Sequence, residues 1–203
     1  MRPREARSHV VMRIIAGERK GHGLLAPEGQ ETRPTLGRVR ESLFGILGAR
    51  VIDARAADLF AGSGTLGLEA LSRGALDCVF VEIAQAPRKS LEQNLAKLRY
   101  ADRAAVVAKD AVKWATARTG EGERRGPGSE PRDLVFLDPP YDTIKWEDFL
   151  TALAGSPLLH PEAVVVVQSG RSEAVPAAAG TLIRSRTETY GKTALHFFDN
   201  TPG

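Results

Sequence analysis

The sequence predicts an α/β fold with a mostly parallel sheet, and three observations carry that prediction. Five short apolar runs recur through the middle of the chain, amphipathic segments of helical period separate them, and turn residues bound each run. The runs are 55–60 (RAADLF), 77–82 (DCVFVE), 104–110 (AAVVAKD), 133–138 (DLVFLD) and 163–168 (AVVVVQ). Being short and rich in β-branched or aromatic residues, they read as parallel strands buried on both faces. Strict alternation of strand and helix implies right-handed crossovers.

The elements follow in chain order. At the front, 12–17 (MRIIAG) and 23–27 (GLLAP) are short strand candidates. A helix is expected over 35–50, with Leu36, Val39, Leu43, Phe44 and Leu47 on one face and Arg38, Arg40 and Glu41 on the rest. Further helices are expected over 64–74, 86–100, 111–120 and 145–155, with Gly74, Gly120 and Gly155 as closing residues. The stretch 119–132, with four glycines and two prolines, reads as a surface loop. The tail 181–199 holds two extended runs around TYGKT and no helix, which predicts an antiparallel strand pair at the end of the sheet.

With 203 residues, 42% hydrophobic and 26% charged, the chain suits one globular domain and leaves no room for a second large substrate domain. It contains no run of eighteen apolar residues and no apolar stretch behind its basic N-terminus, so a cytoplasmic location is expected. Cys78, the single cysteine, sits in an apolar run and is expected to be buried and inert. His9, His22, His160 and His196 lack metal-ligand spacing, so no metal is expected. Residues 1–40 carry nine basic and four acidic side chains, +5 of a total of +3, leaving about −2 for the remainder. A basic extension over 1–50 on a near-neutral body of 51–203 suits a polyanionic partner.

The stretch 58–67, DLFAGSGTLG, places Gly62, Gly64 and Gly67 in G-x-G-x-x-G spacing between a strand and a helix. Ligands of doubly wound sheets sit at the carboxyl ends of strands where strand order reverses, so this turn is a candidate site by position. Glu82 ends the next strand twenty residues after Gly62, where a carboxylate can accept from both hydroxyls of a ribose. These features fit a dinucleotide and S-adenosylmethionine equally. Asp58, at the start of DLF, favours a cationic sulfonium over a pyrophosphate. The tetrapeptide Asp138-Pro139-Pro140-Tyr141 at the end of the fourth strand points the same way.

The exocyclic amine of a nucleobase is a poor nucleophile because its lone pair is delocalised into the ring. Two acceptors must therefore draw its N–H groups and leave the lone pair aimed at the methyl. Asp138 offers a carboxylate and Pro139 a carbonyl, while the successive prolines lock φ and present no competing N–H. Tyr141 offers an aromatic face for a base taken out of its stack. Catalysis then rests on positioning and on acceptors already aimed at the amine, without a metal.

With these residues in place, the chain resembles the bacterial RsmD-type guanine-N2 methyltransferases of small-subunit ribosomal RNA. The resemblance covers Met12 to Phe198 and rests on the order and spacing of MRIIAG, RPTLGRVRESLFGIL, DLFAGSGTLGLEALSRGA, FVE, FLDPPY and YGKTALHF. It implies a Rossmann-like class I methyltransferase fold, with 51–203 as the catalytic domain and 1–50 as an RNA-docking extension. It implies that S-adenosylmethionine is held by Asp58, Phe60, Gly62, Ser63, Gly64 and Glu82, with Asp110 and Ala111 at the adenine. Asp138, Pro139, Pro140 and Tyr141 would hold the target guanine. The substrate implied is 16S ribosomal RNA in the assembling 30S subunit, met by a monomer away from any membrane.

Arg13, Arg33 and Arg38 are the candidate RNA contacts. Arg33, Pro34 and Thr35 could equally close over the cofactor or begin the helix, with Thr35 as its N-cap. Gln168 stands where the family commonly has glutamate. Three other readings compete: an adenine-N6 DNA methyltransferase, since DPPY also serves that chemistry; a small dinucleotide oxidoreductase; and a non-catalytic ribosome-assembly factor.

Overall fold

A computed structural model describes residues 9–27, 34–117 and 130–201. Two strands, β1 (His9–Arg13) and β2 (Gly23–Ala26), form an antiparallel ribbon, and α1 (Pro34–Leu47) follows. Strands and helices then alternate: β3 (Arg55–Asp58), α2 (Thr65–Ser72), β4 (Asp77–Val81), α3 (Gln85–Leu98), β5 (Ala104–Val107), α4 (Ala111–Thr116), β6 (Arg132–Leu137) and α5 (Trp146–Ala154). The chain closes with β7 (Leu159–Gly170), β8 (Ala178–Ala179), β9 (Leu182–Tyr190) and β10 (Thr193–Asn200).

The central sheet has eight strands in the order β5-β4-β3-β6-β7-β10-β9-β8. Pairing is parallel from β5 through β7 and antiparallel from β7 outward, as the apolar runs and the helix-free tail predicted. The tail pair enters the sheet in reverse: β10 lies against β7 and β9 outside it. Strand β7 is twice the predicted run, and the two-residue edge strand β8 had no predicted counterpart.

Helices cover both faces. Val39, Leu43, Phe44 and Leu47 of α1 share one buried layer with Leu68 and Leu71 of α2 and Leu91, Leu95 and Leu98 of α3. The other layer is formed by Ala111 and Ala115 of α4 and Trp146, Phe149, Leu150 and Leu153 of α5. Cys78 is buried in the first layer as expected, and desolvation pushes its thiol well above the ordinary range. His196 is buried, with its ring nitrogens near the hydroxyls of Ser169 and Thr187, and burial pushes it down to about 4. Among the described residues no helix is long and apolar enough to cross a membrane.

Several local expectations need correction. The strand expected over 12–17 ends at Arg13, because the amides of Ile15 and Ala16 are captured by the buried Glu69 carboxylate of α2 at 2.8 and 3.0 Å. Helix α1 begins at Pro34, a residue suited to the first helical position, so Thr35 lies inside the first turn and is not the cap. Arg40, expected on the solvated side of α1, is buried. Gly155 closes α5 at φ −84°, with no left-handed turn, whereas Gly74 has φ +105°. Gly120, Arg33 and residues 119–129 lie outside the described residues.

Candidate active site

The strand order reverses between β3 and β6: β3 connects outward to β4 and β5, and the chain returns to place β6 on its other side. The glycine turn follows β3, and Asp138-Pro139-Pro140 follows β6. Asp58 pairs with Phe136 across these two neighbouring strands, which brings the two motifs to the same end of the sheet. Between them opens a cleft of about 760 Å³. Phe60, Gly62, Ser63, Glu82, Asp110, Asp138, Pro139 and Pro140, all picked out from the sequence, lie in its wall.

Each glycine of the turn answers a different demand. Gly62 has φ +54° with open space where a side chain would project, and its amide donates to Glu82 Oε2 at 2.9 Å. Gly64, at φ +89°, begins α2 so close to α3 that a Cβ would lie 2.4 Å from Leu91 Cδ1. Gly67 packs α2 onto β4, where a Cβ would lie 2.3 Å from Phe80 Cε1. The Ser63 carbonyl accepts from Asn94 Nδ2 at 3.0 Å, and the Asn94 amide also pairs with both backbone groups of Leu25. The turn is thereby tied to β2 through a residue that the sequence pattern left unremarked.

The carboxylates divide into wall and support. Glu82 accepts from Gly62 and, through Oε1, from Ala84 N–H at 2.7 Å, so its orientation is fixed while lone pairs remain free. Asp110 caps α4 by accepting from Lys113 N–H at 2.9 Å and stays exposed. Asp138 Oδ1 accepts from Gln168 Nε2 at 2.7 Å; desolvation raises its carboxyl to about 7, opposed by that hydrogen bond. Asp58 is not in the wall. Its carboxylate turns beneath the loop and accepts from Gly67 N–H at 3.0 Å, and burial first, then the charges of Asp138 and Glu82, lift it to about 7 despite that hydrogen bond.

Other candidates fall outside the cleft. Gly64 and Ala111 are buried behind it. Tyr141 is about half exposed, donor or acceptor to the Thr193 hydroxyl at 3.0 Å, and borders an adjoining groove of about 470 Å³ with Gly170, Arg171, Gly191 and Lys192. Arg13 and Arg38 are exposed on β1 and α1. The wall also includes residues that the sequence did not single out as site residues, among them Met12, Arg40 and Gln168. Arg40 carried a signal: it occupies an apolar-face position, one turn from Leu36 and Phe44, in the same stripe as Val39 and Leu43.

The family model described as Conserved hypothetical protein 95 matches residues 12–199. Ribosomal RNA small subunit methyltransferase D of Escherichia coli K12 is 34% identical over 187 residues, covering 92% of this chain and 89% of the relative. The chain belongs to that methyltransferase D family. Its resemblance by motif to RsmD-type enzymes is thus supported across nearly the full length of the sequence. The solved structure of yhhF from Escherichia coli superposes with a TM-score of 0.81 at 34% identity, covering 95% of this chain and 99% of that one. The Thermus thermophilus 16S rRNA N2 G1207 methyltransferase RsmC, solved with AdoMet and guanosine, shares the fold at TM-score 0.60 and 18% identity, over 97% of this chain and 50% of that one.

Proposed function

We propose that this member of the family transfers a methyl group from S-adenosylmethionine to the exocyclic N2 amine of a guanine in 16S ribosomal RNA. The observation that carries the reading is the shared cleft: the glycine turn and the Asp138-Pro139-Pro140 turn face one space from adjacent strands. Its volume of about 760 Å³ suits a nucleoside bearing an amino-acid tail together with part of a base. Glu82 and Asp110 supply acceptors for ribose hydroxyls and an adenine amine on its β4 and β5 side. The oxidoreductase reading lacks a use for Asp138 in the same wall. The substrate would be the small subunit during assembly, approached by a single copy of the enzyme through its basic front segment.

When bound, S-adenosylmethionine supplies a methyl group activated by a sulfonium. The protein's part is to hold the amine. Gln168 fixes Asp138 Oδ1 and leaves Oδ2 to accept an N–H of the guanine amine, with the Pro139 carbonyl as second acceptor. Pro139 and Pro140 present no backbone donor to compete for those acceptors. The proton released on transfer passes to Asp138 Oδ2 or to water, and a carboxyl lifted to about 7 is a matched acceptor near neutral pH. The members of this set are oriented before substrate arrives, which is where such catalysis gains most.

The test is incubation of the purified protein with methyl-labelled S-adenosylmethionine and either small subunits lacking the modification or duplex DNA. Label in guanine of 16S RNA is expected. Label in DNA adenine would replace this reading with the adenine-N6 one.

A further inference from the structure

Arg40 is 7% exposed and lies in the cleft wall, and its guanidinium is poorly matched by its surroundings. Guanidinium offers five N–H donors. One of its amino nitrogens donates to the Arg13 carbonyl at 2.6 Å, the other meets only the Met12 sulfur at 3.8 Å, and Nε has no hydrogen-bond partner among the described residues. Buried donors left in this state call for an explanation, because an unmade hydrogen bond of a charged group costs more than a neutral one.

Nearby charge does not supply it. Glu69 Oε2 lies 3.8 Å from Arg40 Nε, but that carboxylate already accepts from the amides of Ile15 and Ala16 and from Arg73 Nε at 2.7 Å. Two guanidinium groups thus share one carboxylate, and the cluster keeps one uncompensated positive charge at the edge of the cleft. A buried cation in this position is complementary to an anion delivered by a ligand.

Sheet order says which end of a ligand that is. Asp110, Glu82, Gly62 and Asp138 follow β5, β4, β3 and β6, which are consecutive neighbours. A nucleoside with its ribose at Glu82 and its base toward Asp110 directs its 5′ substituent to the β3 side, where Ser63, Thr65 and Leu66 open α2. Arg40, packed on Glu69 of the same helix, completes the wall there. We infer that Arg40 receives the α-carboxylate of the amino-acid end of the cofactor, its guanidinium supplying the donors that the protein leaves unused. The inference rests on the S-adenosylmethionine reading above and assigns α1 a direct part in cofactor recognition.

Calorimetric binding separates the two ideas. The wild type is expected to bind S-adenosylhomocysteine at least tenfold more tightly than decarboxylated S-adenosylhomocysteine, which keeps everything except the carboxylate. Arg40→Met should weaken S-adenosylhomocysteine at least tenfold while leaving 5′-methylthioadenosine, which lacks the whole amino acid, within twofold. Arg40→Lys should recover part of the loss. Equal loss of both ligands in Arg40→Met, or no wild-type preference for the carboxylated ligand, overturns the inference and leaves the methyltransferase reading intact. The wild-type comparison holds even where the variant is too unstable to assay. Failure of the wild type to bind either S-adenosylhomocysteine or 5′-methylthioadenosine overturns both.

Discussion

Gln168 on β7 reaches across to β6 and donates its side-chain amide to Asp138 Oδ1 at 2.7 Å. The two strands pair in parallel one step earlier, Leu137 with Val167, so the amide is delivered to the carboxylate by sheet register. A glutamine here orients the carboxylate without adding a second negative charge.

The pH dependence of methyl transfer follows from that contact. If Asp138 must be ionised to accept from the amine, kcat/KM rises with pH and levels off above about 7. The hydrogen bond from Gln168 favours the ionised form, so Gln168→Leu raises the carboxyl further and moves the acid limb to higher pH. Asp138→Asn removes the limb and lowers the rate about 100-fold or more. Initial rates across pH 5.5 to 9 check this. An unchanged limb in Gln168→Leu contradicts the assignment.

Stability should respond to pH through Asp58. In the folded protein its carboxyl sits at about 7, raised from 3.8, so between those values the native state keeps a proton that the unfolded chain has released. Stability therefore falls as pH climbs from about 4 to about 7, by up to roughly 4 kcal/mol for three pKa units, and is flat above. Asp138 adds the same trend. Asp58→Asn retains an oxygen for the Gly67 amide and removes the titration, so urea unfolding of this variant at pH 5 and pH 8 should show a smaller difference than the wild type.

Gly67→Ala isolates helix packing from ligand binding. The backbone there is ordinary helix, and alanine alone would favour helix by about 1 kcal/mol. Its Cβ, however, would lie 2.3 Å from Phe80 Cε1 and 2.7 Å from Cys78 Sγ, both buried in β4. Overpacking of this kind costs about 1–3 kcal/mol, so the net effect is destabilising. Denaturant titration showing equal or greater stability would mean that α2 sits farther from the sheet.

Glu82→Gln tests the glycine turn as a binding element. One acceptor oxygen cannot serve both Gly62 N–H and Ala84 N–H in the way that two do, so one amide loses its partner and the turn loosens. S-adenosylhomocysteine affinity should fall about tenfold or more, with a smaller change in melting temperature. A matching loss in stability and no loss in affinity would make Glu82 a structural residue only.

What could be read from the sequence was set by periodicity and spacing. The apolar runs of β3 to β7 announced the sheet, and DLFAGSG, Glu82, Asp110 and DPPY announced the acidic and turn residues of the cleft wall, because those features are local. Contacts fixed by tertiary approach stayed hidden. Asp58 looked like a ligand-facing carboxylate, but β3 ends there and turns it beneath the loop to Gly67. Arg40 looked solvated because charge usually marks the outer face of a helix, although its spacing from Leu36 and Phe44 put it in the apolar stripe, and the packing of α1 against α2 holds it inside. Glu69 and Asn94, which hold the front strands to the body, sit in sequence patterns indistinguishable from ordinary helix surface. The displacement of β1 from its predicted position has the same origin.

The central claim is that a base amine is held by Asp138 beside a cofactor seated at the glycine turn. Mass-spectrometric mapping of methylated nucleotides in 16S ribosomal RNA, from cells lacking the gene and cells complemented with wild type or Asp138→Ala, tests it most directly. The expected result is one N2-methylguanine absent without the gene, restored by wild type and not by Asp138→Ala. An identical methylation map in all of these cells would contradict the account.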